Sequence, residues 1–267
     1  MSQNREIIGI VGGVGPYAGL DLMQKVFDQT VAGTDQDYPS VIHMSFSADI
    51  APRPEFLLGA SEVNPGPALG RIMARLARAG ATLLAMPCNT AHAAPILDAA
   101  LRELDDSLRS VPPSTAHVRF LSLLDAVTDA LRDRLPSTGG GRPVGLLSTR
   151  ATFETGLYQR CLEPAGYIPL FPDGMGRELV QSAINNPDFG IKTHARPVTP
   201  QARNILLDAA RDLADRGAEA ILLACTEIPL ALPEPRLFGL PVLDSTLILA
   251  RALVRAVAPE RLKPWPE

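Results

Sequence analysis

One short passage of this chain is written twice. Leu76-Ala77-Arg78-Ala79-Gly80-Ala81-Thr82-Leu83-Leu84-Ala85-Met86-Pro87-Cys88-Asn89-Thr90 returns as Leu213-Ala214-Asp215-Arg216-Gly217-Ala218-Glu219-Ala220-Ile221-Leu222-Leu223-Ala224-Cys225-Thr226-Glu227, with Leu, Ala, Gly, Ala and Cys recurring at an offset of 137 (225 minus 88). In each copy a polar helix tail ends at a glycine, the usual residue just past a helix end. The apolar run that follows has the length and composition of one buried parallel strand. Each cysteine then falls just beyond that strand's carboxyl end, which is where ligands bind in open α/β sheets. If a pseudo-twofold axis relates the two halves, the two thiols face each other across one cleft.

The rest of the chain alternates in the same way. The first half reads strand Ile7–Val11, a turn at Gly12–Pro16, helix Tyr17–Val31, strand Val41–Phe46, helix Asn64–Ala79, strand Thr82–Met86, helix Ala91–Leu104 and strand Val118–Leu123. The second reads strand Pro143–Leu147, helix Thr152–Leu162, strand Tyr167–Leu170, helices Arg177–Asn185 and Pro200–Arg216, strands Ala220–Ala224 and Pro241–Leu243, and a terminal helix Ser245–Val257. Such βαβ runs predict an α/β fold of two similar domains, each a parallel sheet flanked by helices. The expected domains are 1–116, with the C-terminal helix in 243–267 packing back on it, and 117–242. Pro136–Gly141 reads as a loop or linker, and 105–116 as a candidate boundary.

Bulk properties exclude several classes. With 46% hydrophobic and 20% charged residues among 267, the composition is that of a globular protein with a large core. A net charge of −4 gives no electrostatic reason to expect nucleic acid or an anionic membrane as a partner. No run approaches the roughly 20 apolar residues of a membrane span. Three cysteines without CxxC spacing suggest no disulfide framework and point to a reducing, cytoplasmic setting. A zinc site from Cys88, His92 and Cys225 lacks a compact ligand pair, so no metal is expected. The turn Gly12-Gly13-Val14-Gly15 is not GxGxxG, no Walker lysine follows, and Pro16 opens the next helix, so no nucleotide cofactor is expected either. Close backbone approach to a small substrate, at Gly13, accounts better for it.

A thiol titrates near pH ~8.5, so a modest environmental shift lets it serve as base or as acid near neutrality. Two thiols on opposite faces of a planar carbanion can remove a proton from one side and deliver one to the other, inverting the centre. Asn89-Thr90 and Thr226-Glu227, directly after Cys88 and Cys225, supply helix-start N–H groups and polar side chains that can hold a carboxylate. A lone unpaired cysteine is usually a small buried hydrophobe, and Cys161, with no matched partner, reads that way. His92, four residues after Cys88, reads as a packed helix residue or as a group that tunes the thiol.

The chain also resembles the aspartate/glutamate racemase family, and more closely its aspartate racemase branch. The resemblance is carried by Ile8–Pro16, Pro87-Cys88-Asn89-Thr90-Ala91-His92, Val144–Thr149 with Gly156-Leu157-Tyr158, Gly190-Ile191-Lys192, Ala224-Cys225-Thr226-Glu227-Ile228-Pro229 and Leu243–Thr246, in order along nearly the whole chain. It implies a cofactor-independent racemase of two similar α/β domains with the active site between them, commonly a homodimer. Cys88 and Cys225 would be the acid/base pair. Asn89, Thr90, Ser148, Thr149 and Thr226 would hold the amino acid's α-carboxylate and ammonium, and Lys192 and Arg53 would reach charged groups of the substrate. The glutamate branch usually opens with Asp-Ser-Gly and carries a His after its second Cys-Thr, where this chain has Gly12-Gly13 and Glu227. Aspartate racemases typically show an Ile-Pro-Asp-Arg-Thr-like segment, where this chain has Ile50-Ala51-Pro52-Arg53-Pro54. The arginine stays and a hydroxyl is lost, which leaves the side-chain end of the substrate open.

The expected activity is inversion of an acidic amino acid, foremost aspartate, by two cysteines. The same scaffold serves maleate isomerisation, aryl-malonate decarboxylation and hydantoin racemisation. Two thiols argue against the single-thiol decarboxylase, and Arg53 with Lys192 against an uncharged hydantoin. The remaining alternatives are a maleate isomerase, a racemase of another amino acid, and a binding protein that has lost turnover.

Overall fold

The computed structural model describes residues 6–109, 118–137 and 139–266. It divides into two compact units, one of Met1–Ala126 with Thr246–Trp265 and one built on Val127–Ser245. Of the candidate boundary at 105–116, residues 110–116 lie outside the described residues.

The first unit holds β1 (Ile7–Gly12), β2 (Ser40–Ser45), β3 (Leu83–Ala85) and β4 (Arg119–Leu121), all parallel, in the order β2-β1-β3-β4. Around it run α1 (Pro16–Asp28), α2 (Arg53–Leu57), α3 (Gly66–Arg78) and α4 (Ala94–Leu108). β1 and β3 are buried almost throughout, as the sheet's central strands must be. α3 turns Leu69, Ile72, Met73 and Leu76 inward at the spacing of one helix face. These residues, with Cys88, Ile96 and Ala100, form one core.

α5 (Leu123–Arg134) leads into the second unit, where β5 (Arg142–Ser148), β6 (Tyr167–Leu170), β7 (Ala220–Ala224), β8 (Arg236–Leu237) and β9 (Leu240–Asp244) are ordered β6-β5-β7-β9-β8. Its helices are α6 (Arg150–Glu154), α7 (Gln159–Leu162), α8 (Gly174–Asn185) and α9 (Pro200–Asp215), and α10 (Ser245–Val257) follows the last strand. A second core joins Leu147, Ile184, Ile191, Leu206, Leu213, Leu223 and Cys225.

The repeated passage folds the same way twice. After α3, Gly80 adopts φ +103°, with Gly80 N–H donating to Ala77 O and Ala81 N–H to Leu76 O. After α9, Gly217 adopts φ +88°, with Gly217 N–H donating to Ala214 O and Ala218 N–H to Leu213 O. Both are Schellman ends, closed by a residue in the left-handed region that glycine enters at no steric cost. Each helix is thereby turned straight into its central strand, β3 or β7, and then into its cysteine.

Several sequence expectations shift. The helix expected over Ala91–Leu104 is a single turn at Thr90–His92 followed by α4, because Pro95 belongs in a first helical turn and starts a new helix there. The helix expected over Thr152–Leu162 is two pieces, α6 and α7, since Gly156 at φ +62° ends the first. Arg53, expected in a loop, opens α2 behind Pro52, whose fixed φ suits a helix start. α5 was not foreseen, nor was β8, which pairs antiparallel with β9 through Phe238-Gly239 with both φ angles positive.

Candidate active site

In the first unit Cys88 follows β3 and is buried. Its Sγ lies 3.4 Å from Thr90 Oγ1. Asn89 and Thr90 are buried beside it. His92 fixes the loop from behind. Leu123 N–H donates to His92 Nε2 at 3.1 Å, so Nδ1 carries the ring proton and donates it to Cys88 O at 2.8 Å. Burial drives the His92 pKa down to about 4, against the opposing pull of the Cys88 carbonyl and the Asp125 carboxylate. His92 is therefore a neutral, doubly engaged brace with neither nitrogen available as a ligand. Among the described residues no group of three His, Cys, Asp or Glu side chains is gathered as a metal site.

α2 packs against the turn at Thr90–His92, which brings Arg53 to the same region of this unit. Arg53 Nε is buried and has no hydrogen-bond partner among the described residues. Gly13, at φ +83°, lies on the backbone of its own chain: a Cβ there would stand 2.8 Å from Ser47 N and 2.9 Å from Phe46 N. The close approach that requires glycine at this position is thus between β1's end and the segment after β2.

In the second unit Cys225 follows β7, and the adjacent strand β5 ends at Ser148, in register with Ala224. Ser148 and Thr149 are therefore beside the cysteine. Thr149 caps α6, its hydroxyl accepting from Thr152 N–H. Thr226 and Glu227 are buried after the cysteine, and a single turn at Ile228–Leu230 continues the chain. Cys225 Sγ donates to Glu227 Oε2 at 3.1 Å, and Glu227 Oε1 is buried without a hydrogen-bond partner among the described residues. Ile191, inserted in the core, hydrogen-bonds from N–H to Ala183 O at the end of α8 and carries Lys192 with it into solvent. Burial pushes the Cys225 thiol well up, the Glu227 charge pushes it further, and the Lys192 ammonium pulls it back. Tyr158, fully buried, is close enough for a Cys225 thiolate to raise its own phenol pKa further.

Sequence reasoning did not single out Tyr158 as a neighbour of Cys225, although the Gly156-Leu157-Tyr158 motif held it. Each cysteine loop runs into a single turn, two residues after Cys88 and three after Cys225, and the two differ in chemistry. Two residues after the thiol stands a neutral hydroxyl in one and a carboxylate in the other.

A family model described as Asp/Glu/hydantoin racemase matches residues 11–253. The chain belongs to that family. Among solved structures, the Picrophilus torridus aspartate racemase superposes with a TM-score of 0.76 at 28% identity, covering 97% of this chain and 96% of that one. An aspartate racemase homologue from Pyrococcus horikoshii OT3 gives 0.65 at 25% identity, over 95% and 99%. In sequence, the broad specificity amino-acid racemase RacX of Bacillus subtilis is 26% identical over 93% of this chain and 96% of its own length. A glutamate racemase of Thermus thermophilus is 30% identical, over 70% of this chain and 60% of the relative. This member of the Asp/Glu/hydantoin racemase family is thus an isomerase, an amino-acid racemase of the α/β two-sheet fold. No helix among its described residues is long and apolar enough to cross a membrane.

Proposed function

We propose that the enzyme interconverts L- and D-aspartate without a cofactor, with Cys88 and Cys225 exchanging the α-proton from opposite faces. The observation that carries this reading is the twice-built element in which a Schellman-ended helix, a buried central strand and a buried thiol follow one another. Each thiol stands beside backbone and side-chain groups that suit a bound amino acid. Asn89 and Thr90 on one side, and Ser148, Thr149 and Thr226 on the other, take the α-carboxylate and the ammonium. Glu227 Oε1, a buried anion with an open position, suits the ammonium. Arg53, with Nε buried and unpartnered, suits the side-chain carboxylate, and Lys192 adds positive charge. The substrate is then a small dicarboxylic amino acid, handled in the cytoplasm by a homodimer.

The Arg53 segment favours a second reading, a racemase of wider range. Pro52 and Pro54 flank the arginine where aspartate racemases typically carry polar residues, and RacX, similar along nearly its whole length, is described as broad in specificity. A panel of D- and L-amino acids in deuterated water, scored for α-proton exchange, separates the two. Exchange confined to aspartate supports the first reading and exchange across uncharged side chains the second. Exchange with none contradicts both.

A further inference from the structure

Both cysteines follow a buried central strand fed by a Schellman-ended helix, so the difference in their partners is the informative part. Cys88 Sγ has a hydroxyl, Thr90 Oγ1, at 3.4 Å, which can accept or donate. Cys225 Sγ has a carboxylate oxygen, Glu227 Oε2, at 3.1 Å, which when ionised can only accept. Both Cys225 and Glu227 are buried, so the negative charge is screened little by water. A thiolate at Cys225 would lose its hydrogen bond and lie against an anion at the same distance. A thiol keeps the bond.

We propose that Glu227 is a positioning residue that holds the proton on Cys225 in the empty site, making Cys225 the resting acid of the pair and leaving Cys88 as the base of the first pass. Its consequence for turnover rests on the two-base reading above. In that pass the Cys88 thiolate takes the α-proton, and the electron pair stays on the α-carbon, delocalised into the α-carboxylate. The Cys225 S–H then gives its proton to the opposite face. Cys88 ends as thiol and Cys225 as thiolate, now 3.1 Å from the Glu227 carboxylate. The free enzyme is therefore lopsided, with one protonation pattern strongly preferred over its mirror.

Other groups act on the same thiol. Lys192, carried past the end of α8, favours the thiolate, and Tyr158 at the start of α7 is a buried neutral phenol whose ionisation a Cys225 thiolate would oppose. Glu227 is in direct hydrogen-bond contact with the thiol at 3.1 Å, and burial reinforces its direction.

The test is the pH dependence of alkylation at each cysteine, followed by peptide mass spectrometry on the full chain. In the unaltered protein the midpoint for Cys225 should lie above the free-cysteine value of about 8.5; a midpoint at or below it overturns the proposal without any variant. Glu227→Gln keeps the shape and removes the charge. It should lower the Cys225 midpoint by about one pH unit or more and bring the alkaline limb of the racemisation profile down with it. An unmoved midpoint in a folded Glu227→Gln protein means the carboxylate is merely structural. Racemisation surviving in a Cys88→Ser or Cys225→Ser variant would instead remove the two-base reading, with the alkylation midpoints still standing.

Discussion

His92 makes this site sensitive to acid. Its neutral ring joins Cys88 O to Leu123 N–H, and burial holds its pKa near 4 where an unfolded chain would give 6.5. The unfolded state thus binds the proton first. The stability this neutral ring confers is complete above pH 6.5 and is lost as the pH falls from there to about 4. The loss across that window is about 3 kcal/mol, at 1.36 kcal/mol per pK unit. Urea unfolding of wild type and His92→Gln at pH 7 and pH 4 checks this. The variant should be less stable by about 2 kcal/mol at pH 7, and at pH 4 the gap should close and reverse by about 1 kcal/mol. Arg53 makes a different kind of claim. Arg53→Ala should raise KM for aspartate about 10- to 100-fold, the worth of a charged hydrogen bond, while leaving KM for alanine within about twofold. Steady-state kinetics on both substrates measures it. At this scale the sequence was legible where it repeats itself, placing each cysteine just past a buried central strand. The bond from Leu123 to His92 was not, because it joins positions 31 apart through a loop whose path only the tertiary structure sets.

Elements were legible in proportion to how local their causes are. The glycines at 80 and 217 end their helices wherever the chain is read, and β3 and β7 follow as apolar runs. α2 and α6 are each five residues long, too short for a hydrophobic period to register, and exist because prolines and a capping threonine start them. β8 has two residues and depends on Phe238 at φ +50°, a conformation that an aromatic side chain does not advertise. One helix pair depends on something a pattern of apolar residues does not display. α3 and α4 approach so closely at Gly70 that a Cβ there would stand 2.4 Å from Ala100 O and 2.5 Å from Glu103 Cβ. Ala100 O belongs to helix backbone and cannot step aside alone. Gly70→Val should therefore destabilise the first unit by about 2–3 kcal/mol, read as a lowered thermal midpoint. The Cys88 loop, which leads directly into α4, should lose activity with it.

At the scale of the whole chain, one construction made twice supplies two buried thiols in two compact units, and its family is one of racemases. The α/β class and the two sheets were readable because βαβ alternation runs the length of the sequence. The identity of the substrate's side chain was not, since it turns on how a Pro-Arg-Pro segment presents one guanidinium, and no periodicity encodes that. The unequal partners of the thiols give the molecule a direction in its resting state that the repeated passage does not suggest. The central claim is that both thiols are needed for inversion, and solvent deuterium exchange in Cys88→Ser and Cys225→Ser tests it. With L- and D-aspartate offered separately, each variant should lose racemisation by about a thousandfold or more, the scale of removing an acid/base group. Any α-deuterium that still enters should do so with only one enantiomer as substrate, and that enantiomer should differ between the two variants. Undiminished racemisation in either variant would contradict the account.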